Sequence, residues 1–320
     1  MASWANICAM HIPQLMRKSV SPADTLDEIQ SYWAERLQDA AHSQPDLIVL
    51  PEACDRFDNM SVEEAAEFYR YRSDAMLKFF QQQAKELTSY IAYSAIMPAN
   101  DREFYNSTFI IDRSGNIAGR YDKNYPTIPE IDICKVLPGK DAPVIGCDFG
   151  KVGCMTCFDL NFAELMQHYA GKDVDLLIYC SRYHGGLNQQ FWAYNCQAHL
   201  AAAVAGAGRP ATVLAPNGRV LAETTEYSYN AVARVNLDSA MVHLDGNREK
   251  LASLKAQYGS GVVIDDAGHT GVLLVSNSMA EKNISGLLQE FDIEPLKDYL
   301  KRSQLYRNDF LKITNKGNKK

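Results

Sequence analysis

The stretch Asp46-Leu-Ile-Val-Leu-Pro-Glu-Ala-Cys54 decides the fold class. An apolar run that ends at a proline is typical of a short strand buried on both faces, as strands of parallel sheets are. The run Asp175-Leu-Leu-Ile-Tyr-Cys180 has the same form, and amphipathic helical patterns cover 24–42 and 61–89 on either side of the first run. Strands that alternate with helices in this way predict an α/β domain.

Three further segments have the pattern of hairpins. They cover 104–121 around Arg113-Ser-Gly, 144–156 around Gly150-Lys, and 211–223 around Pro216-Asn-Gly. Hairpins beside buried parallel strands give mixed sheets, and this many strands would split into two packed sheets. We therefore expect a four-layer α-β-β-α sandwich with two mixed sheets.

The chain shows no linker, which predicts one domain over 1–313 followed by a disordered tail over 314–320. A long helix is expected over 188–205. Its apolar stretch Leu200-Ala-Ala-Ala-Val204 is a candidate surface for self-association.

Composition excludes several classes of protein. The 320 residues are 47% hydrophobic and 22% charged, as in a soluble protein with a sizeable core. A net charge of −7 argues against nucleic acid as a partner. The apolar runs are too short to cross a membrane, and the N-terminus lacks a basic, then apolar, signal pattern. We expect a cytoplasmic protein that acts on a small molecule.

The chain has eight cysteines, and Cys154-Met-Thr-Cys157 forms a CxxC motif. A disulfide framework is typical of short secreted chains, which this one does not resemble. A zinc site would need a second pair of ligands, which the sequence does not offer, and a redox pair should open a helix after a strand. Cys154 is expected to be core and Cys157 either core or reactive, with a redox pair as the alternative.

Three reactive side chains stand where a predicted strand ends. Glu52 follows the first buried strand, Lys123 follows a hairpin strand, and Cys157 lies at a strand-to-helix turn. The carboxyl ends of strands in α/β sheets face the ligand crevice, so these three side chains are expected to converge there. A thiol needs a base within hydrogen-bond reach to act as a nucleophile, and a buried ammonium stabilises an oxyanion.

These segments resemble the nitrilase superfamily of carbon–nitrogen hydrolases. Leu50-Pro-Glu52, Arg120-Tyr-Asp-Lys123 and Cys157-Phe-Asp159 match the family's three motifs in order, and the likeness extends over residues 5–236. Glu130 stands about where the family keeps a second glutamate.

The resemblance implies a cysteine-dependent amidohydrolase that cleaves a small amide or carbamoyl compound through a thioester acyl-enzyme. Cys157 would be the nucleophile, Glu52 the acid–base, Lys123 the oxyanion partner, and Glu130 the residue that orients Lys123 or the substrate amine. No metal or organic cofactor is required. The resemblance also implies a homodimer or higher homo-oligomer.

The sequence departs from the family at several positions. Asn161 stands where some members carry an arginine that grips substrate carboxylates, and Tyr125 replaces a common histidine. Cys-Phe-Asp, rather than Cys-Trp-Glu, favours amides over nitriles. Arg182 and His184 follow the buried strand at 175–180 and are further candidates for substrate binding, with a salt bridge and a hydrogen-bonded loop histidine as the alternative.

Three other functions stay open on the same scaffold. They are nitrile hydrolysis, acyl transfer to an amine instead of water, and binding without catalysis. The last is disfavoured because all three reactive residues are present.

Overall fold

The computed structural model describes residues 3–19 and 21–317, which fall into two compact units. The larger unit is Trp4–Val235, and the smaller one begins at Asn236 and includes Ser3. The single domain proposed over 1–313 stays a prediction. Of the expected tail over 314–320, the first part lies in the last helix, which runs to Gly317, and the rest lies outside the described residues.

The larger unit is built on one connected set of strands. They are β1 (Trp4–Ile12), β2 (Leu47–Val49), β3 (Tyr90–Pro98), β4 (Phe104–Ile111), β5 (Ile117–Asp122), β6 (Val144–Gly146), β7 (Lys151–Thr156), β8 (Leu176–Ser181), β9 (His199–Ala205), β10 (Thr212–Leu214), β11 (Val220–Glu223) and β12 (Asn230–Asn236). The order of hydrogen-bonded neighbours is β5-β4-β3-β2-β1-β9-β8-β7-β6, with β12 on β1 and the β10–β11 hairpin on β9. The central pairs are parallel and the outer pairs antiparallel, which confirms the predicted α/β class with mixed sheets.

The two halves of this sheet face each other. Strand β1 joins them, because its residues 7–9 pair with β2 and its residues 11–12 pair with β9. Thr108 on β4 and Thr156 on β7 are six strands apart along the order, roughly 29 Å in a flat sheet. Their hydroxyl oxygens nevertheless lie 3.4 Å apart. Facing half-sheets are what the inner layers of the expected sandwich require, and the complete four-layer order stays a prediction.

The direction of the strands puts three of their ends on one side. Strands β2, β5 and β7 all run parallel to β1 through their chains of pairings. Their carboxyl ends therefore lie at the same end of the facing half-sheets, which is where the segments with Glu52, Lys123 and Cys157 begin.

Six helices of the larger unit are described. They are α1 (Pro22–Ala41), α2 (Val62–Arg72), α3 (Ala75–Leu87), α4 (Ile128–Asp132), α5 (Ala163–Ala170) and α6 (Leu187–Cys196). Helix α1 buries the stripe Ile29, Trp33 and Leu37, whose four-residue spacing keeps them on one face. The single helix expected over 61–89 is broken at Ser73, whose φ of +44° ends α2 before α3 begins.

The helix expected over 188–205 is wrong in its second half. Helix α6 ends at Cys196, Gln197 follows with a φ of +52°, and the residues after it form β9 between β1 and β8. Every residue of β9 is buried, so Leu200–Val204 is not a surface for self-association. The apolar run carries no polar positions at helical spacing, and such a run suits a strand covered on both faces. The oligomeric state stays a prediction.

The smaller unit has an antiparallel sheet covered by helices. Its strands pair in the order β13 (Ser239–His243), β15 (Val272–Asn277) and β14 (Val262–Asp266), and its helices are α7 (Arg248–Tyr258), α8 (Ile284–Glu290) and α9 (Leu296–Gly317). Its core contains Val242, Leu254 and Leu287. Across both units, none of the described helices is long and apolar enough to span a membrane.

Candidate active site

A sharp turn at Cys157 presents its thiol. Strand β7 ends at Thr156, and Cys157 opens a short 3-10 helix with a φ of +49°, a conformation that costs energy for any residue except glycine. The buried Asp159 carboxylate holds the turn, because its Oδ2 accepts hydrogen bonds from the Thr156 N–H (2.8 Å) and the Tyr121 hydroxyl (2.7 Å). Its Oδ1 accepts the N–H of Tyr125 at 2.8 Å, which ties the same turn to the loop after β5.

Glu52 is placed by a second turn with positive φ. Leu50 and Pro51 carry the chain out of β2, and Ala53 has a φ of +45°. Glu52 is 5% exposed. Its Oε1 accepts hydrogen bonds from Lys123 Nζ (3.0 Å) and Asn106 Nδ2 (2.8 Å), and its Oε2 accepts the backbone N–H of Arg182 (3.2 Å).

Lys123 lies between two carboxylates. It follows β5, is 1% exposed, and donates from Nζ to both oxygens of Glu130 at 2.9 Å as well as to Glu52. Glu130 also accepts the Thr127 N–H at 2.7 Å, as the reciprocal cap of α4. We call Glu52, Lys123 and Glu130 the charge cluster.

The charge cluster and the thiol set one another's ionisation. Burial opposes ionisation of Glu52, but Lys123 and the hydrogen bonds from Lys123, Asn106 and Cys157 together keep the pKa of Glu52 below its ordinary value. Burial opposes ionisation of Lys123, but the charge of Glu52, supported by the carboxylate of Glu130, outweighs it and raises the pKa of Lys123. Burial and the neighbouring Glu52 raise the pKa of Cys157 to about 12. The resting site therefore holds a carboxylate, an ammonium and a neutral thiol.

These groups share one cavity of about 290 Å³. Its polar end consists of the charge cluster with Cys157 and Asn106. Much of the remaining wall is apolar and is formed by Val62, Ala65, Ala66, Tyr69, Ile96, Phe104 and Val136. The convergence of Glu52, Lys123, Glu130 and Cys157 is therefore observed as a placement, while their catalytic roles stay a prediction.

One of the four further candidates for substrate binding lies in this wall. Arg182 lines the cavity, but its guanidinium forms an ion pair with Asp58. His184 lines a separate cavity, where its Nδ1 accepts the Gly186 N–H. The salt bridge and the hydrogen-bonded loop histidine match the alternative considered for these two residues.

The other two candidates lie outside the cavity lining. Tyr125 stacks on Phe162, with ring centroids 3.7 Å apart and nearly parallel planes. Asn161 is exposed and donates from Nδ2 to the Phe158 carbonyl at 3.0 Å.

The CxxC motif divides between the core and the cavity. Cys154 is completely buried in β7, and burial raises its pKa well above the ordinary value. All eight cysteines are free thiols. Within 3–19 and 21–317, no cluster of three or more histidine, cysteine and acidic side chains is arranged to hold a metal ion.

Sequence reasoning missed three residues of the site. Asn106 lies on β4, beside the strand β5 that leads to Lys123, and donates to both carboxylates of the charge cluster. Asp159 follows Cys157 by two positions and holds its turn. Arg56 lies four residues after Glu52 and lines the cavity. Closeness in sequence to Cys157 and to Glu52 was a signal for Asp159 and Arg56, but not for Asn106.

Comparison with known proteins gives one matching family model. The model described as carbon-nitrogen hydrolase matches residues 7–248. The chain is 24% identical to an omega-amidase of Xenopus laevis over 246 residues, which cover 69% of this chain and 83% of the relative. It is 26% identical to an omega-amidase of Homo sapiens over 198 residues, which cover 54% of this chain and 67% of the relative.

Solved structures share the fold at lower identity. An amidase from Nesterenkonia sp. AN1, solved as a double mutant with acrylamide, is 18% identical with a TM-score of 0.62, covering 73% of this chain and 91% of that one. A carbon–nitrogen hydrolase from Helicobacter pylori G27 is 17% identical with a TM-score of 0.61. The match covers 80% of this chain and 93% of that one. This likeness concerns the fold, and it agrees with the α/β class.

Proposed function

The chain belongs to the carbon–nitrogen hydrolase family, and on that premise we propose that it hydrolyses a small amide with Cys157 as the nucleophile. The observation that carries the proposal is a thiol in one cavity with a buried carboxylate, which in turn accepts a hydrogen bond from a buried ammonium. The omega-amidase relatives support an amide as the substrate class.

The proposed first half-reaction forms a thioester. The Cys157 thiol attacks the amide carbonyl while its proton passes to Glu52, the carboxylate base that lines the same cavity. The carbonyl oxygen becomes an oxyanion, which the Lys123 ammonium and the first backbone N–H groups of the 3-10 helix stabilise. Collapse of this intermediate breaks the carbon–nitrogen bond, and Glu52 returns the proton to the leaving amine.

The second half-reaction consumes one water. Glu52 takes a proton from that water, whose oxygen attacks the thioester carbonyl, and the breaking carbon–sulfur bond returns the thiolate, which regains the proton. The products are a carboxylic acid and ammonia or an amine. Glu130 is a positioning residue in this scheme, because its two contacts fix Lys123 Nζ beside Glu52.

The test compares two cysteines of one motif. Cys157→Ala should lower amide hydrolysis, measured as released ammonia, by at least about 10³-fold, as expected for loss of a nucleophile. Cys154→Ala is the matched control, and it should keep the activity because Cys154 faces the core.

A second readout is independent of turnover. Peptide mapping by mass spectrometry after iodoacetamide treatment should find an adduct on Cys157, formed more slowly in Glu52→Gln. Normal hydrolysis by Cys157→Ala would refute the proposal. Unchanged alkylation in Glu52→Gln would remove Glu52 as the activating base.

A further inference from the structure

The Tyr179 hydroxyl lies where the turn of the nucleophile meets the loop over 182–186, which we call the β8 loop. Tyr179 is on β8, and its side chain is completely buried. Its hydroxyl oxygen lies 3.2 Å from the Cys157 carbonyl oxygen and 2.9 Å from the Tyr183 carbonyl oxygen. Tyr179 does not line the catalytic cavity. It therefore joins the two segments from a position outside the cavity lining.

The β8 loop is also a segment that holds Glu52. The backbone N–H of Arg182 donates to Glu52 Oε2 at 3.2 Å. The next residue, Tyr183, supplies the carbonyl that the Tyr179 hydroxyl contacts. Consecutive residues of the loop thus contact Glu52 and Tyr179. A shift of this loop relative to Cys157 would therefore change the distance between the sulfur and the Glu52 carboxylate.

Two hydroxyl hydrogens serve the two carbonyl groups at this junction. Ser181 Oγ lies 2.6 Å from the Tyr183 carbonyl oxygen and 2.9 Å from the Tyr179 hydroxyl oxygen, and it accepts the Tyr183 N–H at 2.8 Å. When Ser181 donates to the Tyr183 carbonyl, the hydrogen of Tyr179 is left for the Cys157 carbonyl. Each carbonyl then has its own hydroxyl donor, as hydrogen-bond satisfaction favours. The Tyr179 hydroxyl thus donates directly to the backbone of Cys157.

Close packing at Gly185 joins the same two segments independently. Gly185 has a φ of +80°, which favours glycine, and a Cβ at this position would clash with Leu160 Cδ2. Leu160 belongs to the 3-10 helix that Cys157 opens. The backbone of the β8 loop therefore packs directly on the segment that carries the nucleophile.

We propose that Tyr179 is a positioning residue, whose hydroxyl fixes the Cys157 turn against the β8 loop and thereby sets the distance between the sulfur and Glu52. This inference rests on the proposed function, because that function makes Glu52 the base for Cys157. Proton transfer depends on the alignment of donor and acceptor, and a displacement of about 1 Å can cost roughly 100-fold in rate. The apolar wall of the cavity comes from other segments, so substrate binding should change little.

The kinetic test compares two buried tyrosines. Tyr179→Phe should lower kcat for a small amide by roughly 10- to 100-fold and change KM by less than about threefold. Tyr169→Phe is the matched control, because Tyr169 is also completely buried, and its hydroxyl donates to the Cys154 carbonyl at 2.8 Å and accepts the Cys154 N–H at 3.1 Å. It should lower the urea midpoint about as much as Tyr179→Phe does, yet keep kcat within about twofold of the wild type. An equal loss of kcat in both variants would overturn the proposal.

Alkylation of Cys157 by iodoacetamide gives a readout that does not need turnover. Peptide mapping compares the effect of Glu52→Gln on the alkylation rate in the wild type and in Tyr179→Phe. If Tyr179 holds the sulfur and the carboxylate in register, Glu52→Gln should slow alkylation strongly in the wild type and only weakly in Tyr179→Phe. An equal effect of Glu52→Gln in both backgrounds would overturn the proposal, because residues that act separately have additive free energies.

Turnover and alkylation together separate this inference from the proposed function. Amide hydrolysis that Tyr179→Phe does not slow would support the proposed function and overturn the role of Tyr179. Coupling of Tyr179 to Glu52 in alkylation, without hydrolysis of any amide by the wild type, would support the role of Tyr179 and overturn the proposed function.

Discussion

Replacing Lys123 with methionine removes the ammonium that the buried Glu52 and the partly buried Glu130 share. Its Nζ lies 2.9–3.0 Å from Glu52 and Glu130, and the three side chains are 1%, 6% and 21% exposed. Removing one partner of a buried pair leaves uncompensated charge, which typically costs about 3–5 kcal/mol. Because Asn106 donates to both carboxylates in either case, it does not offset this loss. We expect Lys123→Met to lower the free energy of unfolding by about 3–5 kcal/mol near neutral pH.

The loss should depend on pH with a definite sign. In the wild type, the pKa of Glu52 is lowered, so its stabilising contribution is complete above its ordinary pKa and is lost only as pH falls through the lower value. Without Lys123, burial should raise the pKa of Glu52 above that of the unfolded chain. The folded variant then binds more protons than its unfolded chain, and its deficit should shrink as pH falls toward about 5.

Urea unfolding followed by tryptophan fluorescence measures this effect. Trp33 and Trp192 are buried in the larger unit and report its unfolding. Lys78→Met is the matched control, because Lys78 forms an exposed ion pair with Asp74 at 3.0 Å, and exposed pairs contribute little. A deficit for Lys123→Met equal to that of the control, or one that does not change with pH, would refute the account of a buried shared ammonium.

Three further outcomes follow from the geometry. The kcat/KM for an uncharged amide should stay level from neutral pH to about pH 10, because the pKa of Lys123 is raised and that of Cys157 lies at about 12. A decline that begins below about pH 9 would contradict the resting state described above. Asp159→Asn should lower the free energy of unfolding by roughly 2–4 kcal/mol in urea melts, because an amide nitrogen then faces a backbone or hydroxyl donor. Ser73→Gly should raise that free energy by about 1 kcal/mol, since its φ of +44° suits glycine, whereas Ser73→Ala should give no gain.

The strand ends that carry the site were predictable because their signals are local. An apolar run that stops at Pro51 identifies both the strand and the position of Glu52, and the same holds for Cys157 after β7. Parallel strands then bring these ends together without any knowledge of tertiary contacts. The path of β9 was not predictable in this way. The apolar run of β9 follows a helical pattern almost directly, and the residue type of Gln197 does not show that the helix ends there. The break is visible only in the structure, where Gln197 has a positive φ.

The part of the site that sequence reasoning missed depends on pairing between distant segments. Arg182 was a candidate for its side chain, yet its contact with Glu52 is made by its backbone N–H. Asn106 contributes only because β4 lies beside the strand that leads to Lys123. Neither contact can be inferred from residue type alone.

The segment Asp55-Arg56-Phe57-Asp58 shows the same limit for charge. In the sequence, Arg56 stands between two aspartates and would be paired with either of them. In the structure, Asp55 forms an ion pair with Arg72. Asp58 forms one with Arg182, which lies 124 residues further along the chain than Asp58. Each aspartate thus compensates a cation from another element, and the arginine between them keeps its charge. Among residues 3–19 and 21–317, an arginine in the cavity wall without a carboxylate partner is therefore a product of the fold, because the pairing of its two neighbours is decided by distant segments.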